Sequence, residues 1–304
     1  EQIMTQIIEC VPNYSNGRDP DVLKQILRPL EDEPGIRVLD YEQDEDHNRA
    51  VVTVLGDADS LRRGIVDSVR IAAELIDLRE HEGGHPRMGA TDVVPFIPIR
   101  EATMDDCVKL ARQVGADIGA LGIPVFLYEK AAASAARENL ARVRKGQFEG
   151  MAEKLREPEW KPDFGPAEPH VSAGVTAVGA RMPLVAYNIN LGTADLKTAD
   201  SIARKVRHIG GGLRYVKAMG VLLEERGITQ VSINMTDYSR TALYQVFEMV
   251  RMEARRYGVP VLGSEIVGLA PMAALLDTAA YYLGLEGFDS RQIIETHLLG
   301  ETDE

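Results

Sequence analysis

The stretch richest in reactive side chains runs from His81 to Asp92, reading His-Glu-Gly-Gly-His-Pro-Arg-Met-Gly-Ala-Thr-Asp. Glycines let a backbone approach a ligand closely, and loops held by a rigid scaffold are where chemistry is commonly placed. Imidazole is the side chain that titrates near neutral pH without perturbation. His85 follows two glycines and precedes Pro86, a context that fixes the backbone around one imidazole.

His81-Glu82-Gly83-Gly84-His85 also fits the H-E-x-x-H pattern, in which two histidines one helical turn apart hold zinc. That geometry needs a helical pentapeptide. Adjacent glycines cost roughly 1 kcal/mol each inside a helix, and Pro86 drives His85 out of the α region. The match is therefore accidental, and we expect no metal. The remaining histidines, at 47, 170, 208 and 297, lack such a context and read as surface or core residues.

The loop must be held by the elements around it. A long helix is expected over about Ser60 to Arg79, with apolar residues at Leu61, Ile65, Val69, Ala72, Ala73 and Ile76. The apolar run Val93 to Ile99 reads as a strand after the loop. Before them come a strand (Gln6 to Val11), a helix opened by Asp19-Pro20, and strands at Ile36 to Tyr41 and Arg49 to Leu55. A helix from Asp105 to Leu121, a strand from Pro124 to Tyr128 and an alanine-rich helix near Ala131 to Val143 complete the first half. Residues 157–180 carry four prolines and no sustained period, which suggests an ordered linker between residues 1–156 and 181–304. The second half repeats the order, with strands at Leu184 to Asn190, Tyr215 to Leu223, Gln230 to Met235 and Val261 to Ile266, and helices at Ala194 to Arg207 and Thr241 to Tyr257. The expectation is an α+β fold of two duplicated βαββαβ (ferredoxin-like) subdomains, each sheet with helices on one face.

Composition narrows the class. The 304 residues are 45% hydrophobic and 27% charged, and the formal net charge is −13. Such a surface repels nucleic acid and anionic membranes. No apolar run approaches the ~20 residues of a membrane span, and the N-terminus lacks a signal peptide's pattern. With only Cys10 and Cys107, no disulfide framework is expected and a reducing, cytoplasmic setting fits.

Several motifs resemble one family in its order. Glu9-Cys10-Val11-Pro12-Asn13-Tyr14-Ser15, Gly84-His85-Pro86-Arg87-Met88-Gly89-Ala90 with Asp92, Pro95 to Pro98, Trp160 to Gly165, Asn188-Ile189-Asn190-Leu191 and Val267-Gly268-Leu269 are similar to glutamate formimidoyltransferases. The resemblance covers essentially the whole chain. It implies a folate tunnel between the halves, a homodimer, and transfer of a formimidoyl group between N-formimidoyl-L-glutamate and tetrahydrofolate in histidine breakdown. Tetrahydrofolate would be a co-substrate. The chain ends soon after the second repeat, so no fused cyclodeaminase domain is expected.

In that reaction an amine attacks an amidine carbon, and one nitrogen must lose a proton while the other gains one. His85 matches the family's catalytic histidine. An orienting carboxylate would come from Asp40, Glu42 or Asp92. Glutamate and the folate tail call for guanidinium groups, and Arg49, Arg87 and Arg181 each sit in or beside a motif. Amide partners for the pterin are Asn13, Asn188, Asn190 and Asn234. The family's folate-contacting segment corresponds to Gly165, Pro166, Ala167, Glu168, Pro169, His170, Val171, Ser172, Ala173 and Gly174. Transfer of a formyl group, a folate-binding protein without catalysis and, third, a metal hydrolase are the rival readings.

Overall fold

The computed structural model describes residues 6–84 and 86–299. The chain forms two compact units, divided after Arg181. Along the first run β1 (Ile7–Cys10), β2 (Asn13–Tyr14), α1 (Pro20–Asp32), β3 (Ile36–Asp44), β4 (Arg49–Gly56), α2 (Ala58–Leu75), β5 (Thr91–Arg100), α3 (Met104–Ala120), β6 (Val125–Glu129), α4 (Leu140–Arg144), α5 (Gln147–Lys154) and β7 (Thr176–Ala180). Asp19 caps α1 by accepting from the backbone of Asp21 and Val22, with Pro20 at the first helical position. Thr103 and Asp106 form a reciprocal capping box at the start of α3.

The first sheet runs β3, β4, β1 with β2, β5, β7, β6; β5, β7 and β6 are parallel and the other pairs antiparallel. Its α1–α3 face buries Leu23, Ile26, Leu61, Ile65, Leu110 and Val114 against Val52, Val54, Val94 and Phe96. A second cluster lies on the opposite face, where Val143 of α4 and Met151 of α5 pack with Val93, Phe126, Tyr128 and Ala177. The first unit thus adds α3, β6, β7, α4 and α5 to its βαββαβ order, and α4 and α5 cover part of the face left open elsewhere.

Three stretches differ from the sequence reading. The alanine-rich run yields only a 3-10 turn at Ala135–Arg137 and the short α4, because Asn139 caps a new start at Leu140 by accepting from Ala141 N and buried Arg137 pairs with Asp163 at 2.9 Å. Within 157–180, β7 is a fully buried strand between β5 and β6. Its sequence, Thr-Ala-Val-Gly-Ala, is covered on both faces and therefore shows no alternation. The helix α2 also ends at Leu75, and the following backbone is tied down where Leu78 N donates to Ser172 O.

The second unit contains β8 (Val185–Leu191), α6 (Leu196–Val206), β9 (Val216–Leu223), β10 (Ile228–Met235), α7 (Leu243–Arg256), β11 (Val261–Val267) and α8 (Met272–Leu283). Its antiparallel sheet has the order β11, β8, β10, β9. Val185, Tyr187, Ile189 and Leu191 point to α6 and α7, packing with Ile202, Val206, Val246 and Val250. Asn188 and Asn190 alternate with them and so face the other way.

Candidate active site

The loop between α2 and β5 is pinned on three sides. From the β3–β4 turn, Asp46 O accepts from Gly84 N at 3.0 Å, and Asn48 Nδ2 donates to Glu82 O at 2.9 Å. From α5, Phe148 N donates to Arg87 O at 2.9 Å. From the segment before β7, Ala173 O accepts from Ala90 N and Met88 O accepts from Val175 N, both at 2.9 Å. The contacts leave no room for side chains. A Cβ on Gly89 would lie 2.2 Å from Val175 O, and one on Gly174, at φ +68°, 2.1 Å from Met88 O. His85 lies outside the described residues.

Asn13, Arg49, Arg87 and Asp92 converge, together with Tyr14, Ser15, His47, Asn48 and His81, on a tight crevice with a volume of about 10 Å³. That is room for about one water-sized group. Asp92, almost fully buried at the start of β5, accepts from Met88 N at 2.7 Å and is held by Arg144 Nε at 2.8 Å and Nη2 at 2.7 Å. Its carboxylate fastens the loop to α4.

Arg87 is saturated. Its guanidinium donates to Glu149 through both Nη atoms (3.0 and 2.7 Å), to Gln147 Oε1 at 3.5 Å, to His81 O at 3.2 Å and, through Nε, to His81 Nδ1 at 3.3 Å. The bond from Arg87 holds the Glu149 carboxyl below its usual range. Arg49 differs. It donates through Nη2 to Asn13 Oδ1, its buried Nε has no hydrogen-bond partner, and no carboxylate forms an ion pair with it among the described residues. Burial, then the neighbouring Arg144 guanidinium, lowers its pKa. Asp92 and Asp44 partly oppose that lowering from a distance, but neither forms an ion pair with it. A desolvated cation with no ion pair among the described residues, beside an amide, is a receptor for an anion.

His81 is no bystander. Residues 81–84 are not helical, and the imidazole spans the loop with Nε2 2.9 Å from Asn48 O. Nδ1 is then the acceptor for Arg87, which fixes a neutral tautomer. Burial first, and Arg87 after it, pushes the His81 pKa down. Among the described residues no group of three or more His, Cys, Asp or Glu could hold a metal.

Asp40 and Glu42 stand on β3 opposite Thr53 and Val51, on the same sheet face as Asn13, which also pairs with Val51. Neither lines the crevice, and no side-chain hydrogen bond to either is found among the described residues. Arg181 follows β7, its N donating to Phe96 O four residues along β5 from Asp92. It lies near Glu9 and Tyr128. Glu9, on that face between Leu55 and Ile97, has its pKa raised by burial, which Arg181 partly opposes. Of the expected folate-contacting segment, Gly165 to Glu168 are exposed, Val171 is exposed, and His170, Ala173 and Gly174 form the turn that backs the loop, His170 Nδ1 accepting from Ala173 N at 3.0 Å.

In the second unit Asn188 Nδ2 donates to Glu265 Oε1 at 3.3 Å, and Gln230 Nε2 donates to both Asn190 Oδ1 (2.9 Å) and Glu265 Oε1 (2.7 Å). Asn234 is exposed on β10. Sequence reasoning missed Arg144, His81, Asn48, Gln230 and Glu265. A buried carboxylate such as Asp92 in an apolar strand does demand a cation, and that signal pointed to Arg144's existence but not its position.

Residues 7–181 match the family described as Formiminotransferase domain, N-terminal subdomain, and residues 186–297 match Formiminotransferase domain. Among relatives, a glutamate formimidoyltransferase of Streptococcus pyogenes serotype M1 is 52% identical over 299 residues, spanning 98% of this chain and 100% of that one. One from Thermoplasma acidophilum is 44% identical, covering 95% and 96%. A formimidoyltransferase-cyclodeaminase of Rattus norvegicus is 42% identical over 93% of this chain and 53% of its own length. With both units matched in order and near-complete relatives on either count, the chain belongs to the formiminotransferase family.

Proposed function

We propose that this chain transfers a formimidoyl group between N-formimidoyl-L-glutamate and tetrahydrofolate, the family's step in histidine degradation. The observation that carries the reading within the site is Arg49, a desolvated guanidinium with no ion pair among the described residues, in a crevice beside the 81–87 loop. It takes a carboxylate of the glutamate moiety in a two-pronged hydrogen bond, with Asn13 ordering it. Tetrahydrofolate supplies the attacking nitrogen. N5 bonds to the amidine carbon, a tetrahedral intermediate forms, and the bond from that carbon to the glutamate nitrogen breaks. The proton leaving N5 passes to the glutamate nitrogen, and His85 is the group that carries it. Asp40 and Glu42, unengaged on the same sheet face, are the carboxylates that steady an imidazolium or meet the pterin. Arg181 of the first unit and, in the second unit taken by itself, the amides of Asn188, Asn190 and Asn234 are the further folate contacts of this reading.

The chain acts in the cytoplasm as a homodimer; no described helix is long and apolar enough to cross a membrane. A monomer mass by light scattering at micromolar concentration refutes the dimer. Activity is tested by glutamate release from formimidoylglutamate and from formylglutamate, each with tetrahydrofolate. Release from the first alone supports the reading; preference for the formyl donor, or no release, overturns it. His85→Asn should lower kcat by roughly 10²–10⁴-fold, the contribution of a placed acid–base group.

A further inference from the structure

His81, the first histidine of the 81–85 motif, is left without a role in this chemistry, yet its surroundings are specific. Its Nε2–H donates to Asn48 O on the β3–β4 turn at 2.9 Å, and its Nδ1 accepts from Arg87 Nε at 3.3 Å. Arg87 returns a bond to the His81 carbonyl at 3.2 Å and is itself locked to Glu149 on α5. We propose that His81 is a positioning residue: as a neutral imidazole it latches the loop carrying position 85 to the β3–β4 turn and sets Arg87, so the site is competent only while His81 is unprotonated.

The chemistry is one of donors and acceptors. A second proton would sit on Nδ1 and face the Nε–H of Arg87, replacing a hydrogen bond by two abutting cations. Among the described residues, the charged groups around the ring are Arg87 and, beyond it, Glu149 of α5, Arg18 of the loop before α1, Arg49 and Asp92 of the same crevice, and the Asp44–His47 pair of the turn. Glu149 is already spent on the Arg87 guanidinium and Asp92 on that of Arg144, and the balance favours the neutral ring. Protonation therefore loosens the loop at acidic pH, separately from any titration of His85.

This rests on the proposed transfer reaction for its kinetic readout but not for its spectroscopic one. His81→Leu removes both bonds and should lower kcat/KM about 10-fold or more, the order expected for losing a hydrogen bond to a charged partner. His81→Asn keeps an acceptor toward Arg87 near the Nδ1 position and cannot titrate. It should recover most of the activity at pH 8, and the acid limb of its pH–rate profile should be shallower than that of the wild type, one protonation having been removed. An acid limb of unchanged slope in His81→Asn, or unchanged kcat/KM in His81→Leu, overturns the proposal. NMR of the imidazole nitrogens in the wild-type protein reads the latch without turnover: the expected result is an Nε2–H tautomer with a titration midpoint below the ordinary value of about 6.5. The opposite tautomer, or a midpoint at or above that value, overturns it even if the transfer reaction is confirmed. Failure of the transfer assay with the expected NMR result overturns the reaction and leaves the latch standing.

Discussion

Arg49 separates function from stability, and the two effects of removing it have different signs. Replacing it by Met keeps the bulk of the side chain and deletes the guanidinium. In the folded protein this loses one hydrogen bond, Nη2 to Asn13 Oδ1, worth about 1 kcal/mol net. It also removes a desolvated cation whose Nε has no partner and which Arg144 repels. The two terms oppose, so stability by urea unfolding should stay within about 1 kcal/mol of the wild type or rise. A member of a buried ion pair would instead cost about 3–5 kcal/mol on removal. Substrate binding should respond far more. Hydrogen bonds to charged groups are worth about 1.5–3 kcal/mol each, so a two-pronged contact losing about 3 kcal/mol raises KM for formimidoylglutamate roughly 100-fold. KM for tetrahydrofolate should shift much less. Arg49→Lys should recover only part of the loss, since an ammonium cannot reproduce the planar fork. An unchanged KM, or destabilisation above about 3 kcal/mol, would refute the assignment and make Arg49 a structural residue.

Asp92→Asn puts an amide donor against the Arg144 guanidinium and weakens the bond from Met88 N, so unfolding free energy should fall by about 3 kcal/mol and kcat with it; a loss below about 1 kcal/mol would show that the pair does not fasten the loop. For Glu9, whose folded pKa is raised from 4.5, the folded state holds its proton more tightly than the unfolded chain, so the carboxyl contributes stability at low pH that is lost as pH rises from about 4.5 through the raised value. Glu9→Gln removes this dependence: the variant should gain on the wild type in melting temperature between pH 4 and 7, and a constant difference across that range would disprove the sign.

Much of the fold was legible because local signals agreed with burial. Asp19-Pro20 starts α1 as its cap and first residue, and Leu61, Ile65 and Val69 of α2 all enter the core. β7 was not legible, since a strand covered on both faces and built from Thr, Ala, Val and Gly carries neither alternation nor bulk. The site followed the same division. Asn13, Arg49, Arg87 and Asp92, each read from the sequence as a binding residue, line one crevice. Their jobs did not follow from residue type. Arg87 and Arg49 look alike in sequence, but only the fold gives Arg87 a carboxylate 62 positions away and leaves Arg49 without an ion pair among the described residues. His81 was set aside for the same reason, because its partner Asn48 lies 33 positions off, across two secondary-structure elements.

The arrangement shows how a glycine-rich loop, ordinarily a poor platform, is ordered on both sides of position 85. Chain entropy lost on ordering a residue is roughly 1–2 kcal/mol, and glycine loses more than any other type. Here the loss is offset before any ligand arrives. Gly84 N is held by Asp46 O and Met88 N by Asp92, so the backbone between these anchors spans only positions 85 to 87. The last of those is clamped through its own carbonyl to Phe148 and through its side chain to Glu149. Glycine is then what lets the turn come close: a Cβ on Gly83 would fall 2.4 Å from the His47 carbonyl. On the proposed reading of position 85 as the acid–base group, flanks fixed this way leave little conformational search, which is the condition for proximity to lower a barrier. It follows that substitutions on the β3–β4 turn and at the start of α5, none of them chemical groups, should reduce kcat more than they change affinity for folate.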